Sequence, residues 1–127
     1  IMRILISLFV ILFSFSTIAN EFNWKKIATN SSGTVYYIDE STIKKLDNQV
    51  VFLSLSDYFK PTENGRLSSI IYKEVNCINL DYRYLKDFYF DLPMGKGEPT
   101  NIIDDISEWK KSKKGSTAEY IHKIVCD

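Results

Sequence analysis

The side chains best suited to catalysis or metal binding are scarce in this sequence and far apart along it. His122 is the only histidine, and Cys77 and Cys126 are the only cysteines. We expect the two cysteines to form a disulfide, as argued from the compartment below. The single histidine that remains cannot supply a zinc site or a serine-histidine triad by ordinary rules. We therefore predict no catalytic, cofactor-binding or metal-ligating residue, and we expect His122 to be a partly exposed helix residue.

Two short motifs resemble ligand sites only in part. Asp104 and Asp105, with Glu108 nearby, lack the alternating oxygens and the glycine of an EF-hand loop, so we interpret them as solvated acids. The stretch Met-Gly-Lys-Gly at 94–97 lacks the full pattern of a phosphate-binding loop, and we interpret it as a tight turn. The sequence therefore favours a non-enzymatic protein without a cofactor.

Residues 1–19 have the order of a secretory signal peptide. Arg3 precedes an apolar run at 4–15, and small residues follow up to Ala19, after which we expect cleavage. The apolar core of about 12 to 15 residues is shorter than the roughly 20 that span a bilayer, which disfavours a stable membrane anchor. No cysteine near Ala19 could carry a lipid. We predict one exported domain at 20–127, periplasmic, secreted or at the cell surface, and not a lipoprotein.

The two cysteines are expected to form a disulfide, because an exported chain reaches an oxidising compartment. A bond between Cys77 and Cys126 closes a loop of about 50 residues, for which loop-closure entropy gives roughly 4 kcal/mol of stabilisation. A redox-active Cys77 is the alternative, but the sequence contains no Cys-x-x-Cys motif. We therefore predict a structural disulfide.

The charge balance gives no general attraction for polyanions. Loss of Arg3 with the signal leaves 15 basic against 16 acidic residues, a net charge of about −1. The basic stretch at 110–114 is interpreted as a solvated loop. We therefore predict no nucleic-acid partner.

These residues must be positioned by a fold that is predicted to be mainly β. β-Branched and aromatic residues cluster in short runs separated by Gly, Asn, Asp and Pro, which is typical of strands and turns. The predicted strands are 24–28, 34–39, 49–59, 66–77 and 80–90. The turn at 60–65 contains Pro61 and an Asn-Gly pair, so the strands on either side should pair antiparallel. The three long strands are expected at the centre of the sheet.

Side-chain alternation predicts which residues share a face of each long strand. In 49–59, one face should carry Val51, Leu53, Leu55 and Phe59, and the other Ser54, Ser56 and Tyr58. In 80–90, one face should carry Tyr82, Tyr84, Phe88 and Phe90, and the other Arg83, Leu85, Asp87 and Tyr89. Tyrosines with exposed rings would suit protein recognition.

The C-terminal residues are predicted to form a helix. Ser116 and Glu119 have the spacing of a capping box, and apolar residues follow at helical intervals up to Cys126. A loop is expected at 91–99, and at 100–110 strand, helix and loop all stay open. The predicted fold class is α+β: an antiparallel meander sheet of about five to six strands, with a C-terminal helix on one face that the Cys77–Cys126 disulfide links to the sheet.

One further set of residues is informative through its order along the chain. The set is Trp24, Tyr36-Tyr37-Ile38-Asp39 with Ser41 and Ile43, Asp57-Tyr58, Ser69, Glu74-x-x-Cys77, Arg83, Tyr89, Met94-Gly95-x-Gly97, Trp109, Gly115-Ser116 and Cys126. Taken together, and over nearly the whole of 20–127, these residues resemble the bacterial surface-adhesin protein E family. Single pieces are unspecific, whereas their order, the cysteine spacing and the Met-Gly-x-Gly turn are hard to obtain together by chance.

The resemblance implies an exported, non-enzymatic binding domain. The namesake adhesin of the family binds host glycoproteins such as laminin and vitronectin, and in that family binding is associated with a segment that corresponds to 66–83. The protein contacts implied for this chain are Arg66, Lys73, Tyr82 and Arg83. The alternative is a small periplasmic accessory protein with a partner in the bacterial envelope, and a homodimer is compatible with either.

Overall fold

The computed structural model describes residues 22–127, which form a six-stranded sheet in which each strand pairs antiparallel with the next. The strands are β1 (Trp24–Thr29), β2 (Val35–Leu46), β3 (Gln49–Asp57), β4 (Ser68–Asn76), β5 (Tyr82–Phe90) and β6 (Asn101–Ile103). A helix, α1 (Thr117–Cys126), follows the sheet. The predicted α+β meander is therefore confirmed. The predicted signal peptide lies outside the described residues.

Strand ends differ from the prediction at the margins of the sheet. β2 continues to Leu46, because a register shift between Asp39 and Lys44 lets the strand bend and go on pairing with β3. The prediction that β3 extends to Phe59 is wrong, since pairing ends at Asp57 and the Phe59 residue is 71% exposed. The turn between β3 and β4 lies where Pro61 and the Asn-Gly pair predicted it.

The helix begins at the predicted cap. The Ser116 side chain accepts a hydrogen bond from the Glu119 amide at 3.1 Å, and the Glu119 carboxylate accepts one from the Gly115 amide at the same distance. Two donors at the helix start are thereby satisfied. The face of the sheet against which α1 packs is called the helix-covered face below.

The main core lies between α1 and the helix-covered face. Its buried residues are Ile38, Val50, Phe52, Val75, Ile121 and Val125. At one end of this core Cys77, just after β4, and Cys126, the last helical residue, form the predicted disulfide with their Cα atoms 5.6 Å apart. The covalent bond and the apolar contacts thus fasten the helix to the same part of the sheet.

The opposite, helix-free face has a smaller apolar cluster of its own. The buried members are Leu55, Ile70 and Phe90. A short 3₁₀ turn at Pro93–Gly95 lies over them, and its Met94 side chain packs against the cluster. The Met94 amide donates a hydrogen bond to Asp57 Oδ1 at 2.8 Å. Part of the helix-free face is therefore covered by this turn.

Gly95 lets this turn approach the sheet closely. Its φ is +63°, a region that side chains disfavour, and a Cβ atom there would lie 2.7 Å from Ile70 Cδ1. The Ser68 hydroxyl accepts a hydrogen bond from the Gly95 amide at 2.8 Å and donates one to the Leu92 carbonyl at 2.6 Å. The tight turn predicted from the two glycines is present, and its role is to cover a core.

An irregularity in β5 changes which of its residues share a face. Tyr84 pairs with Lys73 of β4, but the next pair is Lys86 with Tyr72, so Leu85 is an extra residue in β5. The prediction that Tyr82 and Tyr84 share a face with Phe88 and Phe90 is therefore wrong, because alternation shifts by one at this point. The helix-covered face carries Tyr82, Tyr84, Asp87 and Tyr89, and the helix-free face carries Arg83, Lys86, Phe88 and Phe90.

The segment 100–110 is a short edge strand followed by irregular chain. β6 pairs with β5 over three residues, and Lys110 forms an isolated bridge with Tyr82. No helix forms in this segment, and the side chains at helical spacing are exposed, Ile106 by 61% and Trp109 by 41%.

Candidate functional site

The four residues predicted to contact a protein ligand are divided between the two faces of the sheet. Lys73 and Tyr82 lie on the helix-covered face, beside α1. The Arg66 guanidinium lies 4.2 Å from the centre of the Tyr89 ring, which belongs to the same face. Arg83 lies on the helix-free face. These four side chains therefore do not form one patch, and their role as ligand contacts stays a prediction.

His122 is completely buried, so the prediction of a partly exposed residue is wrong. The physical reason is that both ring nitrogens have partners: Ser112 Oγ lies 2.7 Å from Nδ1, and Lys73 Nζ lies 3.2 Å from Nε2. The Ser112 hydroxyl donates to the Leu80 carbonyl at 2.6 Å, so it must accept from Nδ1. Nε2 is then left to accept a hydrogen bond from the Lys73 ammonium.

Burial also determines where the charge of this pair resides. Burial, and secondly the nearby charge of Lys73, lowers the pKa of His122 to about 3. Burial, and secondly repulsion by Lys110, lowers the pKa of Lys73 to about 8. At neutral pH His122 is therefore neutral and most of Lys73 is protonated. Within 22–127 no carboxylate forms an ion pair with Lys73, so an ammonium is held among aromatic rings without a compensating charge.

Lys73 is also part of the wall of a cavity of about 290 Å³ on the helix-covered face, called the tyrosine cavity below. Most of the wall consists of hydroxyl-bearing side chains: Tyr36, Tyr58, Tyr82, Tyr84, Tyr89, Ser54, Ser56 and Ser69. Aliphatic side chains complete it, namely Ile38, Ile71, Ala118 and Ile121. The small serine side chains leave space between the aromatic rings, and Ala118 and Ile121 of α1 border that space.

Two hydroxyls of the cavity, those of Tyr36 and Tyr84, are available as hydrogen-bond donors. Tyr36 accepts a hydrogen bond from the Asn30 amide at 3.1 Å, which leaves its own proton for another acceptor. The hydroxyls of Tyr58 and Ser69 lie 2.9 Å apart and share one hydrogen bond. Burial raises the pKa of Tyr84. The hydroxyls of Tyr36 and Tyr84 therefore stay protonated at neutral pH, and they can donate to a ligand.

One acid, Asp87, lies on the same face as the cavity. It is 6% exposed, and its Oδ2 accepts a hydrogen bond from the Tyr89 hydroxyl at 3.0 Å. Burial, together with this bond, raises the pKa of Tyr89 to about 12. The other oxygen, Oδ1, is buried and has no hydrogen-bond partner among the described residues. A buried oxygen without a partner is costly, which marks this region as a place where a donor could bind.

The helix-free face carries an apolar groove of about 480 Å³, called the aromatic groove below. Its wall includes Phe22, Leu53, Tyr72, Lys86, Phe88 and Pro99. Lys86 Nζ lies 5.4 Å from the centre of the Phe88 ring. Ile102, which pairs with Phe88 and is 50% exposed, continues the apolar surface. The groove thus combines apolar area with a cation at its wall.

A second aromatic and cationic pair lies on the helix-free face. Arg83 Nε donates a hydrogen bond to Glu74 Oε1 at 2.6 Å, and the guanidinium carbon lies 4.4 Å from the centre of the Trp109 ring. Arginine stacked on an aromatic ring is pre-organised for contact with another protein. Of the four predicted contacts, Arg83 is the one on the same face as the aromatic groove.

Nothing in the described residues has the arrangement of a catalytic or metal centre. The Ser112 hydroxyl directs its proton to the Leu80 carbonyl, so Ser112 and His122 do not form a nucleophile with its base. Within 22–127 no three His, Cys, Asp or Glu side chains converge as metal ligands. The same part of the chain contains no helix long and apolar enough to cross a membrane.

Known proteins with the same pattern and fold were found by comparison. A family described as surface-adhesin protein E matches residues 24–127. The selenomethionine form of Haemophilus influenzae protein E is 20% identical with a TM-score of 0.58, over 80% of this chain and 84% of that chain. A second crystal form is 21% identical with a TM-score of 0.54, over 80% and 95%. Comparison with curated protein sequences gave no match. At these identities the structural likeness shows the fold alone.

Proposed function

The chain belongs to the surface-adhesin protein E family, and we propose that it is a non-enzymatic adhesin that binds host glycoproteins through the helix-free face of its sheet. Family membership supports the class of function. The aromatic groove supports the choice of face, because a tyrosine, three phenylalanines and a lysine line one continuous depression there. This groove is the single observation that carries the proposed contact surface.

The composition of the helix-free face fits recognition of a protein better than recognition of a small molecule. Tyrosine, tryptophan and arginine are the residues that most often carry binding energy at protein interfaces. Tyr72 is in the groove, and Arg83 stacks on Trp109 on the same face. The groove is wide and open, so a partner must supply a complementary apolar segment. Laminin and vitronectin are the glycoproteins that we propose as partners, with the protein displayed at the cell surface.

Capture on immobilised laminin and vitronectin tests this proposal. The purified protein should bind at micromolar concentration, and the double variant Tyr72→Ala, Lys86→Ala should bind at least about tenfold more weakly, because it removes an aromatic anchor and the cation beside it. The matched control is Tyr120→Ala, Lys123→Ala. That variant removes the same two residue types from the exposed side of α1, where Tyr120 is 54% exposed and the Lys123 side chain 63%.

Two results would contradict the proposal at different levels. Absence of capture of the unaltered protein would refute laminin and vitronectin as partners. Equal capture of the groove variant, together with loss in the Tyr120 and Lys123 control, would place the contact on the helix side instead. Protease added to intact cells gives a third readout: if the chain is protected until the envelope is opened, surface display is refuted and an envelope partner becomes the better hypothesis.

A further inference from the structure

No carboxylate among residues 22–127 forms an ion pair with Lys73. Its ammonium donates to a neutral imidazole at 3.2 Å and lies 5.0 Å from the centre of the Tyr82 ring. It contributes to the wall of the tyrosine cavity, so it is accessible from the space inside. A partly buried cation without a carboxylate partner is costly unless something else supplies the negative charge. The open cavity beside it is the place from which such a charge could come.

We propose that the tyrosine cavity binds a small monocarboxylate with an apolar body, whose carboxylate contacts Lys73 and whose apolar part lies between the tyrosine rings. The hydroxyls of Tyr36 and Tyr84 are further donors around the same space. Carboxylates accept such hydrogen bonds strongly, in particular from an ammonium. The aliphatic side chains of Ile38, Ile71 and Ile121 offer apolar contacts to the body of the ligand.

The volume and the charges of the cavity limit the ligand further. About 290 Å³ is near the lower limit of small-molecule sites, which corresponds to a ligand of about ten non-hydrogen atoms. Asp87 pairs across the strands with Ile71, two positions along β4 from Lys73. Its carboxylate would repel a second negative group on the ligand. The site should therefore prefer a monocarboxylate to a dicarboxylate of similar size.

This inference concerns a different surface from the proposed adhesin contact. Lys73 and the tyrosines lie on the helix-covered face, whereas the aromatic groove lies on the other side of the sheet. Arg66 adds a second cation near the cavity through its stacking on Tyr89. Three of the residues first predicted to bind a protein, Arg66, Lys73 and Tyr82, are thus neighbours of a small-molecule site. Failure of glycoprotein capture would leave the cavity proposal untouched.

Titration of the purified protein with four probes, followed by amide NMR shifts, tests the proposal. Benzoate and phenylacetate should bind with dissociation constants of about 0.1 to 1 mM, as expected for ligands of this size. Benzamide should bind at least about tenfold more weakly than benzoate, because it has the same shape without the charge. Phthalate should also bind more weakly, because of Asp87. Shift changes should concentrate at Lys73, Tyr84 and Tyr89.

A variant pair localises the effect. Lys73→Met should abolish the preference for benzoate over benzamide, whereas Lys86→Met, on the opposite face, should leave it unchanged. If Lys73→Met does not fold, the shift map of the unaltered protein decides alone. Three results would each overturn the proposal. The first is equal affinity for benzoate and benzamide, and the second is a set of shift changes away from the cavity. The third is absence of binding of benzoate and phenylacetate at concentrations of about ten times the expected dissociation constants.

Discussion

Lys73 and His122 illustrate how burial lets only one of two neighbouring basic groups carry a positive charge. A histidine between a lysine and a serine could carry a proton, but the Ser112 hydroxyl is committed to the Leu80 carbonyl and fixes the proton on Nδ1. A second charge beside Lys73 would have no compensation, so the imidazole stays neutral. The histidine therefore acts as a buried acceptor that holds the lysine at the cavity wall.

This arrangement predicts an acid sensitivity of folding. The pKa of His122 is about 3 in the folded protein and 6.5 as the ordinary value, so the unfolded chain binds the proton more tightly between these limits. Stability is therefore full above pH 6.5 and falls as the pH decreases below it. We expect the free energy of unfolding to fall by about 2 kcal/mol between pH 7.5 and 5, measured by urea denaturation.

The control for this prediction is His122→Phe, which keeps a ring but cannot be protonated. Because His122 is the only histidine, the variant should show little change of stability over that pH interval, whatever its stability at neutral pH. Carboxylates contribute mainly below about pH 5, so the interval separates the two effects. An equal slope in both proteins would show that His122 is not the group that titrates.

At the scale of elements, the Pro93–Gly95 turn shows a short segment acting as a cover for a core. The turn has one apolar side chain, Met94, directed at the second cluster, and hydrogen bonds from its backbone to Asp57 and Ser68 hold it down. Its closeness depends on the absence of a side chain at Gly95.

The substitution Gly95→Ala should therefore destabilise the protein more than a positive φ alone explains. A Cβ atom would meet Ile70 at 2.7 Å, so we expect a loss of about 2 to 4 kcal/mol in the free energy of unfolding, measured by urea denaturation. Gly65→Ala is the matched control, since Gly65 also has a positive φ of +77° but open space around it. Its cost should be about 1 kcal/mol. An equal loss of unfolding free energy in the two variants would contradict the close approach of Gly95 to Ile70.

The extra residue in β5 has the largest consequence of any single irregularity in the sheet. Before it, Tyr82 and Tyr84 face the helix, and after it Asp87 and Tyr89 do so. Without the bulge, Phe88 and Phe90 would face the cavity, and the groove would lose these two rings from its wall. One inserted residue thus places tyrosines along one face and phenylalanines along the other.

At the scale of the whole molecule, two surfaces of different chemistry share one sheet. The helix-covered face has hydroxyls around a cation, and the helix-free face has apolar rings beside cations. The disulfide between Cys77 and Cys126 holds α1 over only part of the first face. The position of the helix therefore decides which part of that face is core and which part is cavity.

Removal of the disulfide should test this role. The double variant Cys77→Ala, Cys126→Ala should lose roughly 4 kcal/mol of stability, because a loop of about 50 residues is no longer closed in the unfolded chain. In this variant the amide hydrogens of α1 should exchange earlier than those of β3, which is one of the two central strands. The reduced unaltered protein serves as control and should behave in the same way. Protection of α1 equal to that of β3 would contradict the prediction.

Features that depend on neighbours along the chain could be predicted from the amino-acid sequence. Strand alternation, the turn at 60–65 and the Ser116 cap are local patterns, so the meander and the C-terminal helix could be predicted from them. The pairing of the two cysteines could be predicted as well. The signal peptide pattern indicates an oxidising compartment, and the sequence contains two cysteines.

Contacts between side chains on different strands could not be predicted in this way. The bulge at Leu85, the burial of His122 and the space around Lys73 depend on register and on what the neighbouring strand or helix contributes. The serines at 54, 56 and 69 lie on two different strands, and their positions along the chain do not show that they line one space. Since a shift of one residue exchanges the two faces of a strand, a local pattern cannot specify a site built from four strands and a helix.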